Sequence, residues 1–103
     1  MSKFINLKTL RIKESLDSKN LNNIIKINGW VRTVRSSSST LAFCNINDGS
    51  NVNGIQVIIE QETVGENNME TFFSKINTGI HISCIGIIVE SPAKGQLYEM
   101  KLL

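Results

Sequence analysis

The chain has 103 residues, of which 41% are hydrophobic and 19% are charged. This composition fits one folded domain and excludes a disordered chain, because disordered chains have too few apolar residues to bury. No apolar run approaches the roughly 20 residues that a membrane-spanning helix needs. Cys44 and Cys84 lie in apolar stretches without the paired spacing of a zinc site. We therefore predict buried free thiols and a reducing compartment such as the cytosol.

The net charge of +2 conceals an asymmetry along the chain. Residues 1–35 carry a net charge of +6, whereas residues 36–103 carry −4. A basic segment of this kind forms either a surface that faces phosphate groups or a solvated arm, and the charge count alone does not separate these alternatives.

The N-terminal third is predicted to contain a short extension and one long strand. Residues 1–22 form the extension, with one or two helical turns within KTLRIKESLDS at 8–18. The segment IIKINGWVRTVR at 24–35 is rich in β-branched residues and alternates, which is typical of a strand. Gly29 inside it predicts a bulge or a sharp bend.

Two further strands follow in the middle of the chain. The serine run SSSS is predicted to be a connection, and TLAFCNI at 40–46 alternates as a strand does. The segment NDGSNVNG contains Asp48-Gly49 and Asn53-Gly54, which are strong turn signals. IQVIIE at 55–60 is then the third strand.

The last part of the chain is predicted to contain a helix and two strands. GENNMETFFSKINTG at 65–79 has apolar residues spaced three and four apart, which indicates an amphipathic helix that stops near Gly79. IHISCIGIIVE at 80–90 is nearly all apolar and predicts a buried fourth strand. SPAKGQ is a turn, and LYEMKLL at 97–103 is a fifth strand.

The order of three strands, a helix and two strands predicts a mainly all-β fold. A five-stranded Greek-key barrel with one helix between strands 3 and 4, the OB-fold, accommodates these elements over residues 23–103. An SH3-like barrel is the alternative, but it lacks a natural place for the helix.

Signatures of catalysis are missing from the sequence. His81 is the single histidine, and no glycine-rich phosphate loop is present. Because a nucleophile needs a base beside it, we expect no catalytic residue, no metal site and no cofactor in this segment.

Strand parity instead predicts a binding surface on the outside of the barrel. In each of three strands, every second residue is apolar, and these residues form a core face. The core faces are Ala42, Cys44 and Ile46 in the second strand, Ile55, Val57 and Ile59 in the third, and Tyr98, Met100 and Leu102 in the fifth. The opposite faces then carry Phe43 in the second strand, Gln56 in the third, and Glu99 with Leu97 and Lys101 in the fifth. An aromatic ring stacks on bases, while an amide and a carboxylate read their hydrogen-bonding edges. OB-folds bind single-stranded nucleic acid on this side of the barrel.

Two long stretches resemble a known family. GWVRTVRSSSSTLAFCNINDGSNVNGIQVII and TGIHISCIGIIVESPAKGQLYEM resemble the N-terminal anticodon-binding domain of asparaginyl-tRNA synthetase, over roughly residues 25–102. GWVR is shared by the aspartyl, asparaginyl and lysyl subclass of class II synthetases. Its combination with TVR, NDGS and the SPAKGQLYE stretch is similar to the asparaginyl members in particular.

The resemblance implies roles for five residues. Phe43 matches an aromatic residue that stacks on an anticodon base, and Gln56 matches a glutamine that reads the central uridine. Arg35 matches an arginine that contacts the anticodon, and Glu99 a glutamate that lies at the anticodon site. Arg32 is expected to contact the RNA backbone or to form a salt bridge, since alternation puts it on the side opposite Arg35. The family's connection after the first strand is commonly charged or longer, whereas here it is SSSS.

The resemblance also implies what the parent protein does. The parent would be a cytoplasmic, homodimeric, ATP- and Mg-dependent asparagine–tRNA ligase. This non-catalytic segment would bind the tRNA anticodon loop, with no membrane partner. Aspartyl or lysyl identity, a sequence-neutral single-strand-binding OB domain and a protein-interaction barrel remain alternatives.

Overall fold

A computed structural model of the chain describes residues 7–92 and 97–103. Most of the described residues belong to five strands. Two short helices and one longer helix accompany them, together with a 3-10 turn at Ser18–Asn20. In chain order the elements are α1 (Ile12–Ser15), β1 (Ile24–Ser38), β2 (Leu41–Asn47), β3 (Ile55–Glu60), α2 (Gln61–Val64), α3 (Glu66–Lys75), β4 (His81–Glu90) and β5 (Tyr98–Leu102).

The strands close into a barrel in the order β1-β2-β3-β5-β4. All neighbouring strands are antiparallel except β3 and β5, which are parallel. The long strand β1 makes closure possible, because it pairs with β4 over Ile24–Trp30 and with β2 over Trp30–Ser38. The predicted OB-fold, with its helix between the third and fourth strands, is confirmed.

Gly29 lies just before the residue at which β1 changes partner. The pairing with β4 runs without interruption through this residue, so the predicted bulge is not at Gly29. A Cβ atom at Gly29 would lie 2.6 Å from Cγ2 of Ile46 in β2. Glycine therefore allows β1 and β2 to approach closely at this corner, and the bulge follows at Arg32.

The barrel core comes from the predicted alternation. The three core residues predicted in β2 and the three in β3 are all buried, whereas in β5 only Met100 is fully buried and Tyr98 and Leu102 are partly so. Met69 and Phe72 of α3 join the same core. The largest fully buried side chains are Ile12, Ile27, Val31, Cys44, Ile46, Ile55, Val57, Met69, Ile88 and Met100.

Several predicted boundaries were wrong. α3 ends at Lys75 rather than near Gly79, because Ile76 takes an extended conformation and packs against the core. The serine run is mostly strand, since β1 continues to Ser38 before a tight turn into β2. In the predicted SPAKGQ turn, residues 93–96 lie outside the described residues. None of the helices within the described ranges is long and apolar enough to cross a membrane.

The segment before β1 packs onto the barrel through its short helix. Of the helical turns predicted within residues 8–18, the structure has α1, whose Ile12 is fully buried, and the 3-10 turn follows it at Ser18–Asn20. The Ile12 N–H donates to Asp48 Oδ2 at 2.9 Å, and the Lys13 N–H donates to Ser50 Oγ at 2.9 Å. Burial tends to raise the pKa of Asp48, but hydrogen bonds from Ser50 and Ile12 outweigh it and lower the pKa. The NDGS turn thus holds the N-terminal segment in place.

Candidate nucleic-acid interface

We call the outer face the side of β1, β2, β3 and β5 that points away from the core. Phe43 lies on it, directly opposite Arg35 of β1 and Ile58 of β3. Its neighbours Ala42 and Cys44 are buried in the barrel, so the predicted parity of β2 is confirmed. Because the core side of β2 is already filled, the half-buried Phe43 ring is available on the outside.

Arg35 covers the Phe43 ring. Its guanidinium carbon lies 4.5 Å from the ring centroid, within the range of a cation–π contact. The two residues are direct partners across β1 and β2, so the strand register holds the cation over the ring. Arg35 itself is exposed. The sequence-predicted aromatic and basic residues therefore come together here.

Gln56 and Glu99 also meet on the outer face, across the parallel β3–β5 pair. Gln56 Nε2 donates to Glu99 Oε2 at 3.2 Å. Glu99 was expected to be exposed, yet it is only 4% exposed, since β5 lies between β3 and β4 and Gln56 of β3 contacts its carboxylate. Because this carboxylate oxygen accepts the hydrogen bond, Glu99 holds the NH₂ end of the amide, and the amide oxygen of Gln56 points away from it.

The aromatic and the amide are close to each other. Asn45 faces Gln56 across β2 and β3, and Phe43 faces Ile58, so Phe43 and Gln56 are diagonal neighbours. Such neighbours are about 7–8 Å apart, within reach of one nucleotide base and its edge. Asn45 donates to the carbonyl oxygen of Asn53 at 3.0 Å, so its amide fixes the β2–β3 loop.

Arg32 occupies the bulge of β1. Val31 pairs with Ile46 and Thr33 pairs with Asn45, so Arg32 is the extra residue between two adjacent pairs. The alternation that was expected to place Arg32 opposite Arg35 is interrupted at this residue. Arg32 is exposed, and within residues 7–92 and 97–103 it forms no ion pair. Its contact with an RNA backbone stays a prediction.

The sequence analysis did not assign Ile58 and Glu60 to the outer face, although it placed Lys101 there. Ile58 lies beside Phe43 as a second apolar side chain, and Lys101 Nζ lies 3.3 Å from Glu60 Oε1. The alternation along the strands already indicated these positions, because Ile58 and Glu60 lie on the same side of β3 as Gln56, and Lys101 lies on the same side of β5 as Glu99. The register between strands, which places these residues near Phe43, is not a local property.

No alternative site chemistry is assembled in the described part of the chain. No three histidine, cysteine, aspartate or glutamate side chains there are grouped as metal ligands. Cys44 and Cys84 are free and buried, as predicted. Burial raises the pKa of Cys44 to about 11 and that of Cys84 to about 12, so both thiols stay protonated and unreactive.

Comparisons with known proteins bear on the family and the fold of the chain. A family described as the OB-fold nucleic acid binding domain, tRNA anti-codon, matches residues 25–102. An asparagine–tRNA ligase from Borrelia garinii subsp. bavariensis is 48% identical over 92 residues, which cover 88% of this chain and 19% of the relative. The chain thus spans about a fifth of the length of the curated relatives it matches.

Solved structures with the same fold include two synthetases. A putative aspartyl-tRNA synthetase from Leishmania major Friedlin has a TM-score of 0.78 at 18% identity, over 99% of this chain and 20% of that one. An asparaginyl-tRNA synthetase from Entamoeba histolytica has a TM-score of 0.70 at 17% identity, over 93% of this chain and 22% of that one. At such identities the likeness shows the fold alone.

Proposed function

The chain belongs to the family of OB-fold nucleic-acid-binding domains named tRNA anti-codon, and we propose that it binds the anticodon loop of a tRNA on the outer face. The observation that carries the proposal is the grouping of Phe43, Arg35 and the Gln56–Glu99 pair on this face. Single-stranded RNA is recognised by aromatic stacking, by basic residues and by hydrogen bonds to base edges, and these three groups can provide all of them.

Phe43 provides the stacking surface. A base placed on the ring gains contact area without regard to its identity, because every base has a π-face. Ile58 beside the ring enlarges the apolar floor. Among the residues that the structure describes, neither Arg35 nor Arg32 forms an ion pair, and both would contact phosphate groups.

Gln56 provides base identity. Because Glu99 holds the NH₂ end of its amide, Gln56 offers its oxygen and one remaining N–H to the RNA. This pair of groups complements the uracil edge, which has an N–H donor beside a carbonyl acceptor. The central uridine of the anticodon is the base that we assign to Gln56.

We infer the amino acid and the parent reaction from the names of the relatives. Several curated relatives are named asparagine–tRNA ligase, so we assign this domain to a protein that attaches asparagine to its tRNA. ATP and Mg²⁺ would be used by parts of that protein outside this chain. A homodimeric parent in the cytoplasm fits this assignment, and the buried free thiols suit a reducing compartment.

Binding of stem-loops to the full 103-residue chain tests the proposal. Fluorescence anisotropy would compare labelled Asn, Asp and Lys anticodon stem-loops, which share the central uridine, with an unrelated stem-loop. We expect tight binding of the Asn stem-loop. Phe43→Ala should weaken it by about 1–3 kcal/mol, the usual value of one base–aromatic stack.

A matched control is Phe73→Ala, which removes a phenylalanine that is 43% exposed on α3 and outside the outer face. It should bind as the parent does. If Phe43→Ala folds and keeps the parent affinity, the stacking role is wrong. If all stem-loops bind equally at the same salt concentration, the domain is a sequence-neutral single-strand binder; if none binds, the nucleic-acid function itself fails.

A further inference from the structure

Trp30 is an exposed aromatic residue that the proposed anticodon site leaves unused. It lies at the corner where β1 changes partner, opposite His81 on one side and Asn47 on the other. The indole is 53% exposed. The His81 ring contacts it edge-to-face at 4.8 Å between centroids, with 73° between the ring planes, which restricts the orientation of the indole.

The surroundings of Trp30 are polar. Its two cross-strand partners are Asn47 and His81, and Asn28 precedes it on the same side of β1. A tryptophan that anchors a protein partner usually stands in an apolar centre surrounded by further hydrophobic contacts. A single flat ring among polar side chains matches a nucleotide better, since the base stacks on the ring while its sugar and phosphate stay in a polar setting.

A positive charge lies next to Trp30. Arg32 is the bulge residue two positions further along β1, it is exposed, and in the described part of the chain no carboxylate pairs with it. Arg35 follows on the same strand and already covers Phe43. β1 therefore carries the aromatic ring of Trp30 and then the cations Arg32 and Arg35. These residues continue the outer face from Phe43 to the corner of the barrel.

Trp30 and Phe43 are too far apart to hold the same base. Asn47, the partner of Trp30, is four residues from Phe43 on β2, which corresponds to about 13 Å along the strand. We propose that Trp30 is a second stacking platform, which holds a nucleotide flanking the one on Phe43, with Arg32 at the phosphate between them. This rests on the proposed binding of single-stranded RNA by the outer face.

The intrinsic fluorescence of the chain gives a direct test, because Trp30 is its single tryptophan. Unlabelled Asn stem-loop would be titrated into the 103-residue chain while indole emission is recorded. Anisotropy of labelled stem-loop would be measured in parallel. We expect quenching of the emission that saturates with the same Kd as the anisotropy, since stacking on a base quenches an indole.

Two outcomes separate this inference from the proposed function. Saturating anisotropy with unchanged indole emission overturns the second platform and leaves anticodon binding intact; the Trp30 surface would then be open to a protein partner. If neither signal changes at any concentration, both the platform and the proposed function are wrong.

Variants give the independent arm of the test. Trp30→Leu should weaken stem-loop binding about 5- to 150-fold, and Trp30→Phe should restore much of the loss because it returns a flat ring. The matched control is Phe73→Leu, which should leave the affinity unchanged. Equal affinities of Trp30→Leu, Trp30→Phe and parent, with normal melting curves, would overturn the platform.

Arg32 is tested by the salt dependence of binding. Arg32→Gln should reduce the slope of log K against log salt by about 1 if the guanidinium contacts a phosphate. Lys75→Gln, in the last turn of α3, is the control for removing a positive charge elsewhere and should keep the parent slope. A parent-like slope for Arg32→Gln would remove Arg32 from the second subsite.

Discussion

Under the proposed function, the hydrogen bond from Gln56 to Glu99 predicts how the domain would distinguish uridine from cytidine at the centre of the anticodon. The informative change is Glu99→Ala. In the parent, Gln56 Nε2 lies 3.2 Å from Glu99 Oε2, and Glu99 is nearly inaccessible to water. The amide of Gln56 therefore has fixed ends, with its oxygen directed away from β5.

Uracil and cytosine differ at the ring nitrogen that a bound amide meets. Uracil donates an N–H there, beside a carbonyl, whereas cytosine accepts there, beside an amino group. If the Gln56 amide is held with its oxygen and its NH₂ group in fixed positions, it complements only the uracil pattern. If the amide is free to rotate by half a turn, which exchanges the two groups, it can complement uracil or cytosine. A matched bidentate pair contributes about 1–3 kcal/mol of discrimination. We therefore expect the parent to prefer uridine by about 5- to 150-fold and Glu99→Ala to lose most of this ratio.

The assay is anisotropy with two stem-loops that differ only at the central anticodon base. The parent, Gln56→Ala, Glu99→Ala and the double variant form a thermodynamic cycle. The ratio of the two affinities is the readout, because removal of a negative charge strengthens binding of both RNAs alike. The double variant should lose no more discrimination than Gln56→Ala alone, since Glu99 acts through Gln56.

Glu60→Ala is the control for this cycle. Glu60 is another carboxylate on the outer face, but it pairs with Lys101 rather than with Gln56. Its removal should leave the uridine-to-cytidine ratio unchanged. A folded Glu99→Ala variant with the parent ratio would refute the orienting role, and a larger loss in the double variant would show that Glu99 reads a base directly.

Three other predictions concern the scaffold. Asp48→Ala should lower the free energy of unfolding at neutral pH by about 1–2 kcal/mol, as loss of a helix cap does. Because the folded-state pKa of Asp48 is lowered, the contribution of its carboxylate to the free energy of unfolding is complete above the ordinary pKa and is lost as the pH falls through the folded pKa. Urea titrations should therefore show that the stabilities of variant and parent converge in acid. A difference that stays constant with pH would contradict the role of the carboxylate. Gly29→Ala should destabilise the barrel by about 1–3 kcal/mol, because the new Cβ would lie 2.6 Å from Ile46 Cγ2; an unchanged melting temperature would show that β1 and β2 can separate there. Cys44 and Cys84 should resist a thiol-specific reagent at mildly alkaline pH until denaturant is added, since burial raises their pKa values to about 11 and about 12; rapid labelling of the native chain would contradict this.

The parts of the fold that local patterns determine were predicted correctly. β2 and β3 alternate strictly, with Asp48-Gly49 and Asn53-Gly54 between them, so both their faces and their connection follow from short-range signals. Phe43 and Gln56 were assigned to the outer face by the same alternation. These assignments need no knowledge of which strands are neighbours.

The parts that depend on distant contacts were not predictable in this way. The bulge at Arg32 exists because β1 must bend from β4 towards β2, and a bulge shifts the parity of every residue after it. Glu99 is buried because β3 lies parallel to β5 and brings Gln56 beside it. Likewise, Asp48 gains its partner Ile12 from a segment 36 positions away.

Arg35 raises a last question, because it covers the ring that a base is expected to use. A cation–π contact at an exposed site is worth about 0.5–1 kcal/mol, whereas stacking of a base on an aromatic ring is worth about 1–3 kcal/mol. A base that stacks on Phe43 as proposed would therefore displace the guanidinium with a net gain in free energy. The register keeps the Arg35 backbone opposite Phe43, so the displaced guanidinium stays beside the bound nucleotide, where its charge can meet a phosphate. Under the proposed function, the contact would cover the ring in the free domain and would leave a cation beside the bound nucleotide.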